Sequence, residues 1–539
     1  MKFEITGNLV DLFGRRLAPA RVRVDGGRIV GITPVAAADG YLVPGFIDAH
    51  VHIESSMMVP AEFARHAVVH GTVGTVSDPH EIANVLGIDG VRFMIEDGKR
   101  TRFKFHWGVP SCVPATAFET AGASLSPAEV RELFVHDGLG YLSEMMNYPG
   151  VLHSDPEVMA KLAIAKELGK PVDGHAPGLR GEEARRYAAA GITTDHECVT
   201  LEEALDKIAC GMKILIREGS AAKNFAALEP LLKTHPRSCM LCTDDMHPDA
   251  LAAGHINRLV ARAIAGGADL FDVLWAACVH PVEHYGLPIG QLRVGDPADF
   301  ILVENLRDFR VRKTWIDGEL VAEAGHSPLP ASSAPARNRF AARPVSASDF
   351  HVAARGEKVR VIGARDGALV TDELVCPAKT EAGAVVADLE RDVLKLAVVN
   401  RYQAAPPAVA LIHGCGLKRG AIAASVAHDS HNLLAVGTDD ASLARAINAL
   451  VECRGGLAVA EGPTVHTLPL DVAGLMSRDG AAVIAGYERL DRAAKALGSP
   501  LTAPFMTLSF MALLVIPSLK LSDRGLFDGQ AFRFTELFV

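Results

Sequence analysis

Apolar and polar positions change rhythm several times along this chain, and each change predicts a different kind of element. Residues 2 to about 43 read as short strands broken by turns, ITGNLVDLFG and ARVRVDGGRIVGI, with Asp25-Gly26-Gly27 as a hairpin turn between alternating apolar residues. The same short-strand rhythm returns at about 290 to 325, in GQLRVGDPADFILVENL and RVRKTWIDGELV. The two stretches, 1–43 plus 289–330, predict one small β-domain that flanks the block between them. A Pro-, Ala- and Ser-rich segment, SPLPASSAPARNRFAARP, predicts a linker over 331–349. Residues 350–539 then form a C-terminal α+β domain.

The central block, 44–288, alternates apolar strand-like runs with helical stretches such as PEVMAKLAIAKELG and GEEARRYAAAG. The strand candidates are LVPGFIDAHVH, GTVGTVSDPH, FKFHWGVPSC, GYLSEMMN, KPVDGHAP, ITTDHEC, MKILIREGSA and CMLCTDDMHP. Strands alternating with helices imply a parallel sheet. This number of units in this length predicts a (β/α)8 barrel, and it disfavours an open, doubly wound sheet. Nearly every unit is apolar first and ends in His, Asp or Glu. In such barrels the carboxyl ends of the strands form the mouth that carries the chemistry.

Composition narrows the partners. The 539 residues carry 54 Lys plus Arg against 64 Asp plus Glu, a formal net charge of −10. That balance argues against nucleic acid and anionic membranes and leaves small neutral molecules open. No basic segment followed by an apolar core opens the chain, so no signal peptide is expected. The most apolar stretch, Leu501 to Leu521, is interrupted by Pro504, Thr507, Ser509 and Pro517 and predicts buried core rather than a membrane span. Nine scattered Cys fit a reducing cytoplasm, and Cys239 and Cys242 read as core thiols.

The strand ends carry a candidate metal centre. His50 and His52 close the first unit, and a spacing of two puts both rings on one face of a strand. Glu144 ends the fourth unit, His175 the fifth, His196 the sixth, and Asp244 with Asp245 the eighth. So many imidazoles and carboxylates in one concavity need a cation. Their number suggests two metals, with a carboxylate such as Glu144 able to bridge them. An all-N and O donor set suits Mn(II), Fe(II) or Zn(II) without choosing among them. Glu54 lies two residues past His52, which places it on the same strand face, and Glu197 adjoins His196. Either acid can donate a proton to substrate or orient a metal-bound His. His80 and Glu81 close the second unit as a substrate contact or a further ligand. In the last domain His428, Asp429 and His431 cluster in HDSHN, either as a polar turn or as a loop reaching over the barrel mouth.

PGFIDAHVHIESSMM resembles the first-strand motif of the amidohydrolase superfamily. Together with VSDPHEIANVLG, SEMMNYPGV, DGHAPGL, TDHECVT and CTDD, it is similar to the adenine deaminase family. HDSHNLLAVGTDD and ECRGGLAVAEG resemble the domain appended in that family. The resemblance implies two divalent ions, Mn(II) or Fe(II) favoured and Zn(II) allowed. It implies one held by His50, His52 and Asp244, the other by His175 and His196, and Glu144 bridging; Asp244 is preferred to Asp245 because it directly follows the Thr. The implied reaction is hydrolysis of adenine to hypoxanthine and ammonia by a metal-activated hydroxide that attacks C6. For such a reaction Asp244 is expected to move the water proton, Glu54 or Glu197 to protonate N1, and Glu81, Asp245, His428, Asp429 and His431 to face the substrate, with His80 a catalytic substrate contact or a further metal ligand. A cytoplasmic homo-oligomer, with a dimer favoured, is implied as well. The alternatives are a hydrolase of cyclic amides such as hydantoins, which often bridges its metals with a carboxylated Lys where this chain has Glu144, and a barrel scaffold without activity.

Overall fold

The computed structural model describes residues 2–539. Alternating apolar and charged positions build the first strands, β1 (Lys2–Asp11), β2 (Arg16–Asp25) and β3 (Arg28–Pro34), which pair antiparallel. The β2–β3 turn uses Gly26 and Gly27, both at positive φ (58° and 79°), a region open to glycine without a Cβ clash. β4 (Tyr41–Pro44) runs parallel to β1 and leads into the barrel.

Eight parallel strands follow: β5 (Phe46–Val51), β6 (Thr72–Ser77), β7 (Lys104–Val109), β8 (Tyr141–Met145), β9 (Val172–Gly174), β10 (Thr194–Asp195), β11 (Lys213–Arg217) and β12 (Cys239–Cys242). Every residue of β5, β6 and β8 is buried, as expected of strands covered on both faces. β5 to β9 form one ladder and β10 to β12 another. Two seams close the ring. At one, the amide of Asp244 donates to the His50 carbonyl (2.9 Å) and that of His52 to the Asp244 carbonyl (3.2 Å). At the other, the Thr193 amide donates to the Val172 carbonyl (2.9 Å). The architecture is a TIM-type barrel.

β13 (Phe300–Val303), β14 (Val311–Ile316) and β15 (Glu319–Glu323) return to the first sheet, giving the order β15-β14-β13-β4-β1-β2-β3. Residues 327–345 carry no helix or strand and lie against the last domain, where the Ala341 amide donates to the Arg401 carbonyl (2.7 Å).

The last domain centres on an eight-stranded sheet. Its inner strands, Val393–Val399, Ala421–Ala424 and Leu433–Gly437, are fully buried. The helix Asp440–Cys453, capped by Asp439, packs on one face. Residues 501–514 are almost wholly buried within this domain, and no helix among the described residues is long and apolar enough to cross a membrane. One apolar cluster runs from the barrel (Ile47, Met58, Phe63) into this domain (Leu434, Tyr487, Met511). The domain therefore sits on the barrel across a shared core, over the ends of β5 and β12.

Candidate metal centre

Glu144, near the end of β8, is the hub of the barrel mouth. Its Oε2 lies 2.6 Å from His175 Nδ1 and 3.0 Å from His196 Nε2. Its Oε1 lies 3.3 Å from His52 Nε2 and 3.5 Å from His80 Nδ1. His50 Nε2 and His52 Nε2 are 3.2 Å apart, and they stand 3.6 and 3.1 Å from Asp244 Oδ1. One carboxylate thus faces His52 and His80 through one oxygen and His175 and His196 through the other, with His50 Nε2 4.0 Å from that second oxygen. All seven side chains are buried.

The backbone around these residues is held by groups that sequence reasoning passed over. Asp48 on β5 accepts from the Thr243 amide (2.9 Å) and from its hydroxyl, which fixes the end of β12 beside His50. Asp244 itself sits in the left-handed region (φ 57°), a conformation Asp tolerates better than most residues. Asp195 accepts from the amides of Ala176 (3.0 Å) and Glu197 (2.8 Å), so one carboxylate sets the loops that carry His175 and His196. Tyr187 accepts from the His175 amide (3.0 Å) and donates to the Met145 carbonyl (2.7 Å).

The donor set fits divalent cations. Ligand atoms of His50, His196 and Asp244 lie within 4.8 Å of one another, and so do those of Glu144, His175 and His196. Among the described residues, His50 Nδ1, His175 Nε2 and His196 Nδ1 are buried without a hydrogen-bond partner, and His196 Nε2, although 3.0 Å from Glu144 Oε2, makes no hydrogen bond to it. Buried polar atoms are seldom left so, and converging imidazole and carboxylate donors suit a borderline divalent ion.

The family model of the adenine deaminase C-terminal domain matches residues 368–533, and that of the amidohydrolase family matches 41–321. The adenine deaminase of Salinibacter ruber is 58% identical, over 100% of this chain and 99% of its own. That of Sulfurovum sp. is 53% identical, over 99% of both chains. The Methanosarcina acetivorans adenine deaminase is 50% identical, again over 99% of both.

The chain belongs to the adenine deaminase family.

In this family member the strand-end acids are sorted by their neighbours. Asp244 faces the histidines, whereas Asp245 accepts from Ser55 Oγ and lies 3.9 Å from His428 Nε2. Glu54 is not on a strand face: β5 stops at Val51 and Ile53–Ser56 is a 3-10 turn. The turn swings Glu54 toward the next unit, where Oε1 accepts from the Ile82 amide (3.1 Å) and Oε2 is buried without a partner. Burial pushes its carboxyl up to about 7. Glu197 behaves oppositely. Burial works against its charge, but the Arg217 guanidinium beside it holds it below the ordinary carboxylate range. Arg217, fully buried at the end of β11, also bonds Asp244 and donates from Nε to the Ala222 carbonyl (2.7 Å). It was legible only as one more polar residue ending an apolar run.

His80 opens the helix His80–Leu86, with Nδ1 3.1 Å from Asp78 and Nε2 3.3 Å from Glu81. Glu81 bonds both His428 and His431 of the last domain, and Asp429 Oδ1 lies 3.8 Å from His80 Nε2. Residues 350 positions apart in sequence thus meet at one mouth.

Proposed function

We propose that the protein hydrolyses adenine to hypoxanthine and ammonia, with two divalent ions held by His50, His52 and Asp244 on one side and by His175 and His196 on the other, Glu144 serving both. The observation that carries this reading is the Glu144 carboxylate with His52 at one oxygen and His175 and His196 at the other, while Asp244 faces both His50 and His52, in a chain alike end to end with adenine deaminases. Ions of this kind supply Lewis acidity and lower the pKa of a nucleophilic water. Mn(II) or Fe(II) is the pairing proposed.

The side chains move the protons. Asp244 takes one proton from the water that adds to C6, while Glu54 gives its proton to N1. Asp244 then protonates the amine, and the C6–N bond breaks with release of ammonia. Glu54 recovers a proton from the C6 hydroxyl, which leaves the carbonyl of hypoxanthine. The buried, unpartnered Oε2 and the raised pKa support Glu54 in this role. Glu197, tied to Arg217, orients Asp244 instead. His80, Glu81, Asp245, His428, Asp429 and His431 line the substrate side. Free Cys throughout support a reducing, cytoplasmic setting. Leu374 and Val375, exposed on the edge strand Asp372–Pro377, support self-association as a dimer.

The test is loss of adenine absorbance with stoichiometric ammonia, measured on enzyme of known metal content. We expect turnover at two ions per chain. In Glu144→Gln, metal content and turnover should fall together, the latter by more than ~1000-fold. Two bound ions with no turnover of adenine would overturn the substrate.

A further inference from the structure

The loop 425–432 joins two antiparallel strands of the C-terminal sheet and ends against the barrel mouth. His428, Asp429 and Ser430 are each 3% exposed. Each leaves a side-chain atom, Nε2, Oδ2 and Oγ respectively, with no partner among the described residues. Three consecutive residues with orphaned polar atoms are hard to reconcile with a merely structural loop. They offer three polar atoms to a ligand.

His428 is the most firmly placed of the three. Its ring stacks on Phe510 (4.8 Å between centroids, 21° between planes). Its Nδ1 is bonded to one oxygen of Glu81, whose other oxygen bonds His431 of the same loop. Nε2 makes no hydrogen bond; it faces Asp245 Oδ1 at 3.9 Å and is left to meet a ligand beside that carboxylate. His80 spans the space between Glu81 and Glu144, so two side chains, Glu81 and His80, link His428 to the metal cluster, on the side the last domain covers.

We infer that His428 is a specificity-determining residue whose Nε2 donates a hydrogen bond to N3 or N7 of the purine ring, with Glu81 as the positioning residue that fixes the imidazole. This rests on the adenine reading above. Glu81 takes up Nδ1–H, which orients the ring. Burial works against a charge on His428, but Glu81 and Asp245 beside it raise its pKa to about 9, which makes Nε2 a donor as well. N3 and N7 of adenine are acceptors. A hydantoin ring, whose nitrogens carry hydrogen, accepts only at its exocyclic carbonyl oxygens and offers no ring-nitrogen acceptor. The contact would therefore sort purines from the cyclic amides that other amidohydrolases open.

The experiment compares adenine, 3-deazaadenine and 7-deazaadenine on manganese-loaded wild type, His428→Asn, His428→Gln and Glu81→Gln, with metal content and thermal midpoint recorded for each. Wild type should disfavour one of the two analogues by ~10-fold or more in kcat/KM. His428→Asn should lose a similar factor on adenine at two ions per chain and discriminate that analogue no longer. His428→Gln, with an amide N–H near the Nε2 position, should recover part of the discrimination, and Glu81→Gln should weaken it. The inference falls if wild type treats both analogues like adenine, or if His428→Asn keeps the wild-type ratios whatever its absolute rate. Metal-loaded wild type that leaves adenine untouched would instead overturn the functional reading itself.

Discussion

At the scale of single residues, two buried cations behave in opposite ways because their surroundings differ. Arg217 lies between Glu197 and Asp244, and those carboxylates hold its charge firmly despite burial. Removing one partner of a buried ion pair leaves the other uncompensated, at a cost of about 3–5 kcal/mol. Arg217→Met should therefore lower the thermal midpoint of the chelated protein clearly, by more than a surface Arg→Met control. Lys520 has only the carbonyls of Leu369 (2.6 Å) and Phe510 (2.9 Å) as partners, and burial pulls its pKa from 10.5 down to about 7. Between those pH values the unfolded chain binds the extra proton, so stability attributable to Lys520 rises as pH rises from 7 toward 10. The midpoint of Lys520→Met should exceed that of wild type most at pH 7 and below, and the gap should narrow by pH 10. A gap that does not change with pH would contradict this assignment.

At the scale of elements, the catalytic face depends on close approach between loops after neighbouring strands. Gly219 follows β11, and a Cβ there would meet the carbonyl oxygens of Thr243 and Asp245 at 2.3 Å each. Only a residue without a side chain lets this loop lie flush on the one that carries Asp244 and Asp245. Gly219→Ala should push the two loops apart. A displacement of about 1 Å at reacting groups costs on the order of 100-fold in rate. We expect that loss in kcat with far-UV circular dichroism unchanged; unchanged kcat would show that the loop yields elsewhere. The same scale explains the reading of Glu54. A period-two argument holds only while the strand lasts, and β5 ends at Val51. The αL turn at Met57 (φ 58°), which ends the 3-10 segment, depends on sterics that a hydrophobicity pattern does not record.

At the scale of the whole molecule, barrel and last domain form one unit. Glu62 accepts from the Gly480 amide (3.4 Å), His247 bonds Tyr487 (2.6 Å), and the Thr120 amide donates to Asp523 (2.9 Å), all across the contact between barrel and last domain. Ions that bind only the folded chain add RT ln(1 + [L]/Kd), about 4 kcal/mol at 1,000-fold excess over Kd. Chelation should abolish turnover and lower the thermal midpoint of the barrel and last domain together, and Mn(II) should restore both. A calorimetric trace in which only one of two separate transitions moves would show that the shared core does not couple them.

The parallel barrel and its strand-end histidines and acids were legible in the sequence, because burial on both faces imposes apolar runs and because polar residues recur where each run stops. Glu144, His175 and His196 could be picked out by that position alone. Tertiary structure decided the rest. It set Arg217 against Glu197 and Asp244, turned Glu54 toward Ile82, and brought His428 and His431 onto Glu81 from the far end of the chain. Those contacts depend on how two strand-end loops and two domains come to lie in space, and periodicity reports only which face of its own element a residue occupies.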